Sequence, residues 1–521
     1  MGSERRKGIL LGTSSGYLNI LITNLLSVVA VPVTLGYFGT DRYGALALVM
    51  TFVNYLSVTN FGIPSACAIL GAKSADRRQQ LAIVFRSFLL LGMISTAVLL
   101  LFLGLSGISG WVALLGRIPP AITDEVRQAA FWTAVLFLAN LFFAPFLAGF
   151  IAIRKVHVER FYNTISTNSY VLALAWVILF KGNLAEYALA RGALVLLCSL
   201  AGALHFLFGY RETRQLLVQG LQPLLDATRD PEYAGRSILA SGGRLFVVGL
   251  ASLVVWQTDN LVISHFLGVG AVTPYQVTFK LITMTFILFT AINPAISPHY
   301  GRAWAEGDRS WINGTWNQIA QVSSVLGGLV WLGSLACAET VIDLWAGHAA
   351  YAGPLVVCAL GGYGYLLSLV GAHAALLTSL NLVRNLPLIS WLEAGVNLAL
   401  SLLLIRVLGM GGVALGTFLA SLCTVFWLIP REIGKRTEGT IRLEWRPLAA
   451  QLCMHLLPAV AGVLLAERFI PGTVLRLLAD FALILAYLAV SWHRFSPEMK
   501  TLLGGLLPRP LSGLLQRGGP R

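Results

Sequence analysis

Apolar runs long enough to cross a bilayer follow one another along almost the whole chain, separated by short polar breaks. A hydrocarbon core needs roughly 20 mostly apolar residues per helix, and each backbone polar group in lipid must be satisfied within its own helix. The pattern predicts about fourteen spans, near residues 13–36, 43–72, 82–105, 129–153, 163–180, 184–209, 238–267, 271–299, 315–338, 353–380, 386–405, 411–430, 448–466 and 473–492. The expected fold class is an all-α polytopic membrane protein. No polar stretch is long enough for a soluble domain. The longest, 211–236, separates an N-terminal six-helix lobe (1–210) from a C-terminal one (237–430), and residues 431–521 add two further helices and a basic tail. Within this linker Leu216, Leu217, Leu221, Leu224 and Leu225 recur at helical spacing against Arg214, Gln215 and Gln222. That is the pattern of a helix lying on the membrane surface, with an ordinary solvated loop as the alternative.

Charge orients the spans. Of the 37 Lys and Arg residues, 27 fall in the N-terminus, the C-terminal tail and one alternate set of loops. Only Arg42, Arg117, Arg127, Lys181, Arg406, Arg468 and Arg476 fall in the other set. By the positive-inside rule both termini are expected in the cytoplasm. The same asymmetry explains the formal charge of +14 without nucleic acid, because the basic loops meet an anionic leaflet. Trp304, Trp311 and Trp316 flank one inner turn, and Trp111 and Trp345 lie in outer loops, as interfacial belts would. All six cysteines fall in apolar spans with no CxxC pair, so neither a disulfide nor a metal site is expected.

A weak repeat accompanies the two halves. Leu35-Gly36-Tyr37-Phe38-Gly39 followed by Tyr43 matches His265-Phe266-Leu267-Gly268 followed by Tyr275. Each places an aromatic and a glycine at a helix end and a tyrosine at the next helix start. Two related bundles suit a transporter that rocks one lobe against the other. Pro32, Pro64, Pro145, Pro294, Pro298 and Pro458 fall within spans and are candidate bends.

Ionisable side chains in hydrocarbon are costly and face a cavity or a partner. The informative ones are Glu186 and Arg191 in the sixth span, Arg244 and Asp259 in the seventh, Lys280 in the eighth, Glu393 in the eleventh and Asp480 in the fourteenth. Asp480 follows Arg476 by four residues, the spacing of a local pair. Glu186 and Arg191 lie near a span end, where long side chains can snorkel. Arg244 and Asp259 are separated by about 22 Å along the helix and about 60° around it, so both can face one cavity. Lys280, about 13 Å into the next span, falls at the depth of Asp259 and either pairs with it or binds an anion. Arg244 has no acid nearby on its own helix and is the principal candidate anion receptor. Asn19, Thr23, Asn24, Asn54 and Asn60 are polar in the first two spans; Asn24 either lines the cavity or bonds across helices.

Several function classes are excluded. There is no GxxxxGK[S/T] loop for ATP hydrolysis, no arginine ladder and no TVGYG-like filter. A membrane glycosyltransferase or polymerase would carry large outer loops with catalytic acids, and only Asp124-Glu125 offers a candidate.

These residues resemble the polysaccharide transporter family, the lipid-linked oligosaccharide flippases of the multidrug/oligosaccharidyl-lipid/polysaccharide exporter superfamily. The matching pieces are Pro32-x3-Gly36-x6-Tyr43-Gly44, Asn60-Phe61-Gly62-Ile63-Pro64, and the run Gln257-Thr258-Asp259-Asn260-Leu261-Val262-Ile263-Ser264-His265-Phe266-Leu267-Gly268. Tyr275-Gln276-Val277, Lys280-Leu281, Ala305-Glu306-Gly307-Asp308, Leu344-Trp345-x-Gly347, Val396-Asn397-Leu398 and Gly409-x2-Gly412-Val413-Ala414-Leu415-Gly416-Thr417 follow in order. The resemblance implies a flippase, not an enzyme, working by alternating access and needing no cofactor. It implies a polyprenyl-diphosphate-linked glycan as substrate, a bacterial inner membrane as location, and a polysaccharide polymerase and other assembly proteins among candidate partners. A branch that flips the peptidoglycan precursor carries more charges in its first helices, which argues against it here.

On this reading Arg244, Lys280, Asn24 and Arg191 are the candidate substrate-binding residues, and Asp259 and Glu393 the candidates for proton or sodium coupling. The competing readings are a cation-coupled drug exporter of the same superfamily, for which Asp41 is the nearest first-lobe acid, and a membrane-embedded glycosyltransferase or polymerase.

Overall fold

A computed structural model describes residues 2–74, 76–108, 110–218, 235–290 and 292–495, nearly all of them in helices. In chain order these are α1 (Gly2–Leu56), α2 (Ile63–Lys73), α3 (Arg77–Ser106), α4 (Pro120–Leu141), α5 (Ala144–Ala152), α6 (Val156–Phe180), α7 (Leu184–Phe208) and α8 (Arg211–Val218). After residues 219–234 come α9 (Gly235–Leu267), α10 (Val272–Thr290), α11 (Ile292–Glu306), α12 (Arg309–Ala346), α13 (Pro354–Ser379), α14 (Leu386–Leu408) and α15 (Met410–Cys423). The last are α16 (Val425–Arg436), α17 (Trp445–Gln451), α18 (Leu457–Phe469) and α19 (Thr473–Arg494). The expected surface helix of the linker begins as α8, and its remaining leucines lie outside the described residues, as does the basic tail beyond 495.

Among the described residues eleven helices are long and apolar enough to cross a membrane, or twelve if the bent pair α4 and α5 forms one span. The protein is therefore a multi-pass helical membrane protein, while the number fourteen is not established. Two local features account for the difference. The first two expected spans run together in α1 through a kink at Gly39, where φ 77° and ψ 174° leave helical geometry. The expected eighth span is divided between α10, of 19 residues, and α11, of 15, and neither is among the eleven.

The prolines act in two ways. Pro64 and Pro145 stand in the first turn of α2 and α5, where the missing N–H is unpaired in any case, while Pro458 closely follows a π-helical turn, Leu452–Leu456, that joins α17 to α18. Pro32 and Pro298 lie inside helices.

Contacts between Cα atoms group the chain into two units. The first comprises Met1–Val277, Trp345–Ala350 and Ser401–Val413, and the second Thr278–Leu344, Tyr351–Leu400 and Ala414–Arg521.

In the first unit, close approach of small residues drives packing, as expected where lipid removes any hydrophobic preference for helix over solvent. Gly149 faces the ring of Phe206, Gly202 faces Leu147, and Gly71 faces Ala152. Around them Leu81, Ile83, Leu91, Leu138, Phe146, Phe150 and Phe206 form a buried core. The two turns of the sequence repeat share a backbone solution. Gly39 and Gly268 (φ 91°, ψ 164°) both stop a helix in a conformation that only glycine adopts without strain. They also dock on each other. Thr273 donates to Thr40 O at 2.6 Å, Asp41 Oδ1 closes on Gly270, and Gly44 packs so tightly on Val269 O that no Cβ fits.

The second unit is built on α12 and on α13, whose buried residues include Tyr363, Tyr365, Leu366 and Leu369. Trp316, expected in an interfacial belt, is instead fully buried, and its Nε1 donates to His373 Nδ1 at 3.1 Å. An indole fills a large core volume, and here its polar edge finds a partner inside the bundle. Asn313 and Asn317 on α12 hold the loop before α17: Arg442 N donates to Asn313 Oδ1 at 2.8 Å and Glu444 N to Asn317 Oδ1 at 2.7 Å. Arg476 lies within electrostatic reach of Asp480, and its Nη2 also pairs with Glu339 Oε2 at 3.3 Å across to α12.

Candidate functional site

The most specific sequence motif turns out to be a polar seam inside the first unit. Gln257 Oε1 accepts from Thr51 Oγ1 at 3.3 Å, and Thr258 Oγ1 lies 2.7 Å from Tyr55 Oη. Asn260 donates from Nδ2 to Thr51 Oγ1 at 2.9 Å and accepts from Gln276 Nε2. Asp259 is buried and accepts from Tyr275 Oη at 2.5 Å. The seam ties α9 and the start of α10 to the second half of α1. In hydrocarbon each such pair spares two polar groups from burial without partners. Phe61 stacks on Phe246 at 5.2 Å, and Gly62 meets Gly242 backbone to backbone, fixing α9 at a second point.

A cavity of about 290 Å³ opens beside this seam between α1, α4, α6 and α7. Arg191 enters it from α7, with Met50, Thr133, Asn140, Ser166 and Thr167 among the other lining residues. Its guanidinium approaches Met50 Sδ, a weak acceptor, and forms no ion pair among the described residues. Asn140 keeps its Oδ1 buried without a partner there. The cavity thus presents a permanent cation, three hydroxyls and one amide, with no acid in its lining. Guanidinium matches phosphate and carboxylate oxygens in bidentate fashion, and hydroxyls and amides suit sugar hydroxyls.

Glu186, at the start of the same helix, has a structural task. It closes a capping box with Asn183, each side chain bonding the other's backbone N–H at 3.0 Å. Glu125, the outer-loop acid weighed for catalysis, pairs with Arg42 at 2.9 Å and accepts from Leu184 N, while Asp124 pairs with Arg127 at 2.8 Å. Both acids are explained by local structure.

Asn24 is half-buried on α1, next to a cross-helix link in which Asn168 on α6 donates to Thr23 Oγ1 at 3.2 Å and Thr23 in turn to Asn19. Arg244 lies in α9, and its side chain is outside the described residues. Lys280 is half-buried on α10, just past the point where contacts pass to the second unit.

Within the second unit Glu393 is half-buried on α14 and accepts from Ser421 Oγ on α15 at 2.9 Å. One turn on, Asn397 Nδ2 donates to Thr417 Oγ1 at 2.8 Å, and Asn397 keeps a buried Oδ1. Two adjacent helices therefore contribute oxygen groups at i, i+4 spacing on both sides. Asn397 and Thr417 stand in the sequence only as parts of the family pattern, and Ser421, Asn140, Ser166 and Thr167 escape a search for charge; for Thr417 and Ser421, and for Ser166 and Thr167, the i, i+4 or adjacent placement in an otherwise apolar span is the available signal.

Residues 9–304 match the family model described as polysaccharide biosynthesis protein. A Salmonella typhimurium protein described as "Putative O-antigen transporter" is 28% identical over 199 residues, covering 37% of this chain and 45% of that one, so the chain spans under half of that curated relative's length. Among solved structures, the lipid II flippase MurJ in an inward closed conformation aligns with TM-score 0.66 at 12% identity, over 93% of this chain and 99% of that one. An inward-facing multidrug resistance MATE family transporter of the MOP superfamily aligns with TM-score 0.62 at 14% identity, over 80% and 96%. At those identities the structures show a shared transporter fold. The family match covers more than half of the chain, and the protein belongs to the polysaccharide biosynthesis protein family.

Proposed function

We propose that this protein is a flippase that carries a polyprenyl-diphosphate-linked oligosaccharide from the cytoplasmic to the outer leaflet of a bacterial inner membrane by alternating access. The carrying observation is the acid-free cavity around Arg191, which offers one fixed positive charge, the hydroxyls of Thr133, Ser166 and Thr167 and the amide of Asn140. A diphosphate bearing sugars has the complementary chemistry, while its polyprenyl tail can stay in lipid. Arg244, Lys280 and Asn24 complete the proposed binding set, and Glu393 or Asp259 couples transport to a cation. The name of the Salmonella relative supports a cell-surface glycan as cargo. Outward movement of an anion also gains about 2.3 kcal/mol per charge per 100 mV from an inside-negative potential. The assigned acids Glu125 and Asp124 leave the glycosyltransferase reading without a catalytic group of its own.

The test is a strain lacking its own repeat-unit flippase. Expression of this chain should restore surface polymer and clear the lipid-linked repeat units that accumulate in the inner leaflet. Continued accumulation across a panel of strains with different glycans, with the protein abundant in the membrane, would overturn the assignment. So would efflux of cationic dyes with no effect on lipid-linked sugar.

Orientation follows from the same proposal. In a cysteine-free background Ala349→Cys should react with an impermeant thiol reagent added outside intact cells, and Lys435→Cys only after permeabilisation. The reverse result would invert the topology.

A further inference from the structure

A second cavity, of about 570 Å³ and with several polar side chains in its lining, lies wholly in the second unit at one end of the C-terminal helix pair. Its polar lining is Arg446 in the first turn of α17, Gln321 on α12, Ser491 near the end of α19, and Gln451 and His455 around the join of α17 and α18. That join is unusual. Residues Leu452–Leu456 form a π-helical turn, placed where Pro458 cannot donate back to residue 454. Such one-turn insertions re-aim the side chains around them and are frequent at functional positions. Gln451 is buried, and its Nε2 makes only long bonds, 3.3 Å to Tyr487 Oη and 3.4 Å to Ser491 Oγ. Arg446 is exposed and forms no ion pair among the described residues, and the lining contains no acid. Pro447, Ala450 and Phe495 complete the wall.

The volume falls within the roughly 300–1,000 Å³ usual for small-ligand sites. Three features together identify the ligand class. The cation and amides select a phosphate. The helix ends set the cavity at the membrane boundary, since α17 begins there and α19 finishes there. The neighbours in sequence, Met454 and Leu457, are exposed and apolar, at 64% and 43%, as residues facing acyl chains are. We propose that this cavity is a binding site for the headgroup of an anionic phospholipid, with Arg446 and His455 holding the phosphate and Gln321, Gln451 and Ser491 bonding the glycerol. The site is separate from the Arg191 cavity, and the assignment does not depend on what the protein transports.

The test uses the full chain, purified in mild detergent and exchanged into mixed phosphatidylglycerol and phosphatidylethanolamine, with retained lipid read by native mass spectrometry. Wild-type protein should retain phosphatidylglycerol in excess of its bulk share. Arg446→Glu should lower that excess by about tenfold, the loss expected for one charge-assisted contact. Ser491→Ala, a milder change, should lower it by a smaller factor with an unchanged melting temperature. Lys435→Glu, at an exposed basic residue that is not among the cavity's lining, should leave it unchanged. Equal retention by wild type and Arg446→Glu, or equal loss in Lys435→Glu, would overturn the site. Equal thermal stabilisation by inorganic phosphate and by phosphatidylglycerol vesicles would overturn the lipid assignment.

Discussion

Arg191→Ala is expected to reduce export of surface polymer by about 10- to 100-fold, the loss that follows from removing a charged hydrogen-bond partner worth roughly 1.5–3 kcal/mol. The effect is large because no neighbouring residue can substitute. The cavity lining has no second cation, and its remaining polar groups are neutral. Two controls separate binding from folding. Arg191→Met keeps most of the aliphatic stem that packs between the helices, so it should leave abundance and melting temperature near wild type while transport falls as far as in the alanine variant. Arg191→Lys should recover part of the rate, because it restores the charge but not the bidentate fork. Arg244→Ala belongs in the same series, and a comparable loss is expected if both cations meet the diphosphate. Normal export by an abundant Arg191→Met protein would remove this cavity from the mechanism. A variant that simply disappears from the membrane would instead place Arg191 in the structural core with its neighbours on α4 and α6.

How much of this could be read from the chain depends on which physical constraint was acting. Spans were legible because lipid leaves a helix no alternative for its backbone groups. The repeat at Gly39 and Gly268 was legible as a pattern, and its cause is visible only in the backbone, where both glycines take positive φ values and their turns dock on each other. Facing directions were much less legible. A helical wheel places Arg244 and Asp259 within about 60° of each other, yet it cannot show that Asp259 lies buried against Tyr275 in a seam, with Gln257, Thr258 and Asn260 bonded in the same way. Arg191 looked able to snorkel from its place near a helix end, whereas packing against α4 turns it into a cavity. Spacing pairs Arg476 with Asp480, and it does not show that an acid on another helix, Glu339, takes the direct contact. Local motifs were safer: Asn183-x-x-Glu186 is a capping box in sequence and in structure. Tertiary partners decide wherever a side chain is long enough to choose.

The same limit applies to coupling, where Glu393 and Asp259 were equal candidates by sequence. Their surroundings now differ. Asp259 is tied to Tyr275 in the seam that holds α9, while Glu393 is half-buried beside Ser421 with Asn397 and Thr417 one turn away, a group of oxygens that can exchange a proton or accept a small cation. Glu393→Gln keeps an oxygen to accept from Ser421 and removes the charge. Its abundance should match wild type, and its stability should change by no more than about 1 kcal/mol, the scale of one neutral hydrogen bond. Transport should nonetheless fall by about tenfold or more, and the residual rate should no longer respond to collapse of the proton or sodium gradient, whereas wild-type transport should. Glu393→Asp, which retains the charge, should keep the gradient response at a lower rate. Asp259→Asn retains an acceptor for Tyr275 and should preserve both the fold and the gradient response. A Glu393→Gln protein that transports at the wild-type rate and stops when the gradient is collapsed would exclude Glu393 as the carrier. If Asp259→Asn alone abolished the gradient response at normal abundance, the coupling group would lie in the first unit, and the oxygens around Glu393 would be helix-to-helix bonds only.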